Sequence, residues 1–161
     1  WITGIIFAVV LVTALGITAL VFARICFPWK GMFVFIPGQG FSVLTADEGL
    51  RRFVFAHLFL AVNASTMLSV AFMFSCFNMK PAAATILALS YVFVNVVMEN
   101  IPFFNRYENW FITHHFRSWL LVFTSPVPWW QILQSEIVLI AASVTAFIVG
   151  LTGFQVRDIK S

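Results

Sequence analysis

Charged side chains are scarce in this chain, which has 9 Lys and Arg and 6 Asp and Glu among 161 residues. Soluble domains carry charge on about a quarter of their residues, so this composition excludes an ordinary soluble domain. A net charge of +3 built from so few groups does not indicate nucleic-acid binding. In membrane proteins such cations mark the ends of spans and the orientation of the chain.

Cysteine and histidine are almost absent. Cys26 and Cys76 are too few and too isolated for a disulfide or metal framework, and we predict apolar filler positions near helix ends. Of the three histidines, His114 and His115 are adjacent and point to different helix faces, which suits shared metal ligation poorly. We expect them near lipid headgroups, and a membrane enzyme that uses them with His57 is a further hypothesis. The sequence therefore predicts no catalytic residue, no metal and no cofactor.

Long apolar runs are abundant, because 61% of the residues are hydrophobic and the mean hydropathy is +0.99. A helix rises about 1.5 Å per residue and must cross a hydrocarbon core of about 30 Å. Four segments are long enough, at residues 1–24, 53–77, 82–101 and 133–154. They predict an all-α fold, a polytopic transmembrane bundle with about four spans. The chain opens at Trp1 without a Met or a basic stretch, so we expect residues to precede it.

The connections between these spans differ in character. Residues 27–49 are predicted as a loop rich in Pro and Gly, with the short apolar stretch 32–36 at the membrane interface. Residues 78–81 form a tight turn that makes spans two and three an antiparallel hairpin. Residues 110–123 mix aromatic and polar side chains, which predicts an interfacial amphipathic helix, followed by an aromatic anchor at 126–130.

Polar residues inside the spans are the candidates for function. Asn63, Ser69 and Ser65 share part of one face of the second span, where helix packing is favoured over lining a substrate path. Glu99 and Glu136 lie within about two turns of span ends and are predicted to have structural or interfacial roles. A proton relay through these two carboxylates is the alternative, because an intramembrane carboxylate is by default a functional hypothesis.

From the second span onwards, the order of motifs resembles the C-terminal part of an ATP-binding-cassette permease of type 2. The matching features are a Ser-rich span with a short Asn-x-x-x-Ala turn at 69–84, an outer helical segment at 110–123, a Pro-Trp turn at 126–130 and an Arg-Asp-Ile tail within 154–161. They cover about two-thirds of the chain. Each motif is short, and their order makes the match specific.

The resemblance implies a transport subunit of the bacterial inner membrane, the remaining four spans of a six-span permease. Its partners would be a cytosolic ATP-binding subunit and a second permease copy or homologue. The ATPase contact would include Asn78 and Lys80, and the substrate path would include Asn63, Ser69 and Asn95.

Two matters stay open. The resemblance places the C-terminus and the turn at 78–81 in the cytosol, whereas a count of Lys and Arg by the positive-inside rule favours the reverse orientation. The alternative function is a structural subunit of a larger respiratory or photosynthetic membrane complex, which the apolar composition fits equally well.

Overall fold

The structure is a computed structural model that describes residues 1–28, 30–36, 40–77 and 79–158. Four of its helices are long and apolar enough to cross a membrane, which confirms the predicted all-α bundle. They are α1 (Ile2–Cys26), α2 (Ala46–Cys76), α3 (Pro81–Glu99) and α5 (Trp129–Asp158). The remaining elements are the strands β1 (Gly31–Ile36) and β2 (Gly40–Thr45), 3₁₀ helices at Pro102–Trp110 and Ser118–Phe123, and the short α4 (Ile112–His115).

Helix α2 is the centre of the bundle and packs against α1, α3 and α5. It spans 31 residues, or about 46 Å, so it is longer than a bilayer core requires. Its first turn is stabilised by Thr45, whose hydroxyl accepts a hydrogen bond from the Glu48 amide, and by two acidic residues near the positive end of the helix dipole. The helix therefore begins at Ala46, earlier than the predicted start near residue 53.

Small residues bring α1 and α2 together. A Cβ on Gly16 would collide with the His57 ring, and one on Gly4 would lie 2.8 Å from Leu68 Cδ2. The later glycine of α1 thus meets the earlier residue of α2, which means that α1 and α2 are antiparallel. Most of the other side chains on α1 are exposed, which suits contact with lipid.

Helices α2 and α5 run in the same direction. Thr66 donates a hydrogen bond to the Leu139 carbonyl (3.2 Å), and a Cβ on Gly150 would lie 3.1 Å from Met73 Cα. Buried Val70, Ala88 and Ala146 form the apolar contact among α2, α3 and α5. The small residues in this cluster let the three backbones approach closely, as is common between membrane helices.

The sequence between α1 and α2 contains an antiparallel β-hairpin where a loop was predicted. Its register runs from Gly31 opposite Thr45 to Ile36 opposite Gly40, and Gly40 has φ +94°, which favours glycine. The inner face packs Ile36 and Leu44 against Ala56 of α2 and Phe123. The predicted interfacial stretch 32–36 is therefore a strand, and the prediction of a plain loop was wrong.

Residues 100–128, here called the connecting segment, do not form the single interfacial helix that was predicted at 110–123. They form three short helices with breaks between them, and Thr113, His115, Ser118 and Val122 are buried. The segment packs against α2, α3 and α5. From residue 111 to 124, polar and apolar side chains alternate because most of both kinds face protein, whereas the helix Pro102–Trp110 has no buried residue.

Candidate functional site

The connecting segment reaches far into the bundle along α2. Asn63 Nδ2 donates to the Phe116 carbonyl (3.0 Å), and Arg52 donates to the carbonyls of Val122 and Thr124. Asn63 and Arg52 are 11 residues apart on one helix, so the segment follows α2 for about 16 Å. Non-helical backbone is tolerated at membrane depth only where it is buried in protein or lines a cavity. The side chains of α2 meet that requirement by binding the free carbonyls of the segment.

Asn63 borders a groove of about 500 Å³ between α1, α2 and the connecting segment. The apolar side of this groove includes Leu15 and Trp119, and His57 lies further along α2. Asn63 Oδ1 is buried and has no hydrogen-bond partner among the described residues. Because this oxygen is not exposed on the groove, it accepts a hydrogen bond from water or a polar substrate only after the neighbouring side chains move.

Ser69 is in a different position, fully buried between α2 and α5. Its Oγ donates to the Ser65 carbonyl (2.9 Å), accepts from Trp1 Nε1 (2.8 Å), and lies 2.7 Å from Ser143 Oγ. Since the Ser69 proton is used towards Ser65, the Ser143 hydroxyl is the donor in the last pair. A hydroxyl has one donor and two acceptor positions, so Ser69 is saturated in this conformation.

Of the other three candidates, the structure describes Asn95 and Lys80. Asn95 is buried on α3, and its Nδ2 donates to the Tyr91 carbonyl of the same helix (2.8 Å). Lys80 is exposed at the N-terminus of α3, in the short connection that follows α2. Asn78 lies outside the described residues. The described path candidates Asn63, Ser69 and Asn95 thus bond to different partners and do not form one hydrogen-bonded site.

Sequence reasoning missed a polar cavity beside the connecting segment. It measures about 470 Å³, and its lining includes His114, His115, Arg117, Ser118 and Gln134. The carboxylates of Glu99 and Glu136, which were predicted to have structural or interfacial roles, contact side chains that line this cavity. Ser118 Oγ donates to Glu136 Oε1 (2.7 Å), while Glu99 Oε1 lies 3.4 Å from Arg117 and 3.8 Å from His114 Nδ1.

Both carboxylates are buried, and Oε2 of each has no hydrogen-bond partner among the described residues. Buried carboxyl oxygens of this kind call for water or a proton-bearing partner. The polar side chains that line this cavity can hold water and can bind a polar molecule. The described residues contain no group of three or more His, Cys, Asp or Glu that could hold a metal.

His115 is held as a neutral imidazole. Its Nε2 donates to the Asn109 carbonyl (3.0 Å), so Nδ1 is the acceptor towards Ser135 Oγ (3.2 Å). Burial lowers the pKa of His115 below its usual value, since the charged form loses its hydration. His114 also lowers the pKa, whereas the Asn109 carbonyl and Glu99 act in the opposite direction without reversing the shift.

A pH titration of thermal stability tests this environment. The pKa of His115 is lower in the folded than in the unfolded chain, so its contribution to stability is complete above pH 6.5 and is lost as the pH falls through the folded pKa. We expect detergent-solubilised protein to lose stability on acidification, with a smaller loss in His115→Gln. His57→Gln on α2 keeps His115 and the groups that act on its pKa, and is the control. An equal acid slope in His115→Gln and the unmodified chain would contradict the assignment.

The fold and these polar features define a polytopic integral membrane protein in which residues 111–124 of the connecting segment pack against the helical bundle. Comparison with family models, curated proteins and solved structures found no match. The function therefore rests on the residues and their geometry.

Proposed function

We propose that the chain is a membrane-spanning permease subunit of an ATP-binding-cassette transporter. It moves substrate across the bacterial inner membrane, using ATP that a separate cytosolic subunit hydrolyses. The order of motifs from residue 69 to the tail supports this proposal. The chain has no catalytic role in it, and its contribution is to couple ATPase closure to movement of its helices.

The observation that carries the proposal is the placement of cavities on the two sides of the connecting segment. The polar cavity lies on one side, and on the other lies a mostly apolar groove bordered by Asn63, whose Oδ1 is buried and unpaired among the described residues. Polar groups deep in a membrane protein are costly and commonly mark a substrate or ion pathway. Asn63 is thus the strongest candidate for a path residue, and Asn95 is a second candidate from α3.

A second permease copy or homologue completes the path. Only 11% of the most apolar part of α1 is buried within this chain, and the groove beside Asn63 is formed by two helices and one short segment. Four spans of this kind enclose too little volume to shield a polar substrate from lipid. A partner permease that covers α1 would close the groove.

Lys80 is the proposed contact with the ATPase. It is exposed in the short connection between α2 and α3, the two helices whose relative movement would open the path. We expect Lys80→Glu to lower the ATPase activity of the complex severalfold while its spans remain folded. Arg106→Glu is the matched control, because Arg106 is an exposed cation in the connecting segment, beyond the other end of α3.

The test is affinity purification of the tagged full chain from its native membrane, followed by identification of co-purifying proteins and ATPase assay. The proposal predicts an ATP-binding subunit in stable complex, with activity reduced by Lys80→Glu and retained by Arg106→Glu. A stable complex without any nucleotide-binding partner would exclude it. Equal activity of the two charge reversals would remove Lys80 from the contact.

A structural subunit of a larger membrane complex is the second candidate. The saturated hydrogen bonds of Ser69 favour it, because they fix α2 to α5 and use every donor and acceptor position of the Ser69 hydroxyl. The purification distinguishes the two functions. Partner chains that carry haem, chlorophyll or quinone would favour the structural subunit.

A further inference from the structure

The outer face of the β-hairpin is apolar and has no partner within the described chain. Phe33, Phe35, Phe41 and Val43 point to this face and are 57–79% exposed. The three Phe rings form one continuous patch, since the ring centroid of Phe41 lies 5.2 Å from that of Phe33 and 5.0 Å from that of Phe35. A contiguous apolar patch of this kind marks a contact with protein or membrane.

The position of the hairpin along α2 decides between these partners. Its inner face contacts α2 between Gly49, which touches Met32, and Ala56. In the antiparallel contact of the first two helices, Gly16 faces His57 and Gly4 faces Leu68. Extending this pairing places the hairpin level with about residues 17–24 of α1, at 1.5 Å per residue on both helices.

That part of α1 is itself directed towards lipid. Ile17, Val21 and Phe22 are 50–63% exposed on a helix without charge before Arg24. An apolar groove of about 450 Å³ at the same level joins Leu20, Val21 and Ile25 of α1 to Leu50 of α2. The hairpin thus lies where the lipid-facing surface of the spans approaches its end.

The charges around the hairpin suit the headgroup region. Lys30 directly precedes the hairpin, Arg24 and Arg51 are exposed on the helices that flank it, and Asp47 and Glu48 are exposed directly after it. Long cationic side chains at span ends extend towards headgroups. Apolar strand residues beneath such cations match the pattern of an interfacial anchor, in which an apolar face enters about 5–10 Å into the boundary between headgroups and acyl chains.

We propose that the β-hairpin is a membrane anchor that inserts its outer face, Phe33, Phe35, Phe41 and Val43, into the lipid leaflet where α1 ends. Its inner face remains packed on α2 and on Phe123, so the anchor links lipid directly to the connecting segment. The occupant of the outer face is phospholipid, and the proposal does not depend on the transport function.

Spin labelling of the full chain in phosphatidylcholine–phosphatidylglycerol vesicles tests the anchor. Phe35→Cys and Val43→Cys are labelled separately in a Cys26→Ser, Cys76→Ser background. The collision rates of each nitroxide with oxygen, which concentrates in lipid, and with a water-soluble nickel chelate are then compared. Val10→Cys on the exposed face of α1 gives the lipid reference, and the exposed Glu108→Cys gives the water reference.

We expect labels at positions 35 and 43 to resemble the label at position 10, with an oxygen-to-nickel ratio severalfold above that at position 108. A ratio equal to that at position 108 would mean that the face is in water, and would overturn the proposal. Exclusion of both reagents would mean that protein, such as a second copy, covers the face, and would overturn it as well. Ser42→Cys on the inner face is the internal control, since a docked hairpin shields it from both reagents.

Discussion

Arg52→Met is expected to release the connecting segment from α2. The guanidinium donates to the carbonyls of Val122 (3.0 Å) and Thr124, and lies 3.3 Å from Ser125 Oγ. These carbonyls lie at the end of the Ser118–Phe123 helix, where backbone acceptors have no partner within the helix. A hydrogen bond to a charged group contributes about 1.5–3 kcal/mol, so loss of the two carbonyl bonds costs about 3 kcal/mol or more.

The measurement is hydrogen exchange of the amides in residues 112–124, together with thermal denaturation. In Arg52→Met we expect faster exchange in this range and a lower Tm, because the segment loses its attachment near one end. Arg51→Met is the matched control: Arg51 is adjacent and exposed, whereas the Arg52 side chain is only 13% exposed. Exchange that is equally slow in both variants would contradict the anchoring role.

Arg52→Lys distinguishes geometry from charge. The planar guanidinium reaches two carbonyls, a hydroxyl and Glu48 at once, which a single ammonium group cannot reproduce. We therefore expect Lys to restore only part of the protection. The connecting segment borders both the polar cavity and the groove beside Asn63, so its release should also lower the activity of the proposed transporter complex.

The four spans were predictable because the bilayer imposes a simple rule of length and hydropathy. Pro81 was likewise predictable at the start of α3, since its missing amide proton costs nothing in a first helical turn. The polar face of α2 was predictable in part, from the spacing of Asn63 and Ser69. Thr66 completes that face at a spacing of three, but the sequence gives little sign of it, because threonine in apolar helices often bonds its own preceding turn.

The β-hairpin was missed because its alternation is hidden. A half-buried strand normally alternates apolar and polar residues, but here the inner face packs on α2 and the outer face is apolar too. Residues 32–36 are therefore apolar without a break, which gives no period of two. Such a stretch is too short for a span and is read as interfacial sequence.

The burial of residues 111–124 in the connecting segment could not be predicted for a related reason. Its polar residues find their partners on distant helices: Ser118 meets Glu136, His115 meets Ser135, and Asn63 of α2 binds the Phe116 carbonyl. Local pattern cannot distinguish a polar side chain that faces water from one that faces a buried partner. The separations of 18 to 53 residues make these contacts invisible to helical periodicity.

Substitution of Ser69 separates the two roles predicted for the polar face of α2. Ser69→Ala removes its hydrogen bonds with Ser143, Trp1 and the Ser65 carbonyl but preserves the fit of α2 on α5. Such bonds in membrane proteins average about 0.6 kcal/mol each, so we expect a loss of about 1–2 kcal/mol. Ser69→Leu adds a large side chain at a fully buried position, which lowers the free energy of unfolding by about a further 1–3 kcal/mol.

The readouts are Tm and the ATPase activity of the complex with its nucleotide-binding partner. Because the Ser69 hydroxyl is saturated by protein, we expect the two quantities to fall together: slightly in Ser69→Ala and severely in Ser69→Leu. Ser75→Leu is the matched control, an exposed serine on the same helix whose replacement should leave both unchanged. If Ser69→Ala instead lowered activity at an unchanged Tm, Ser69 would contact substrate, and α2 and α5 would have to separate during transport.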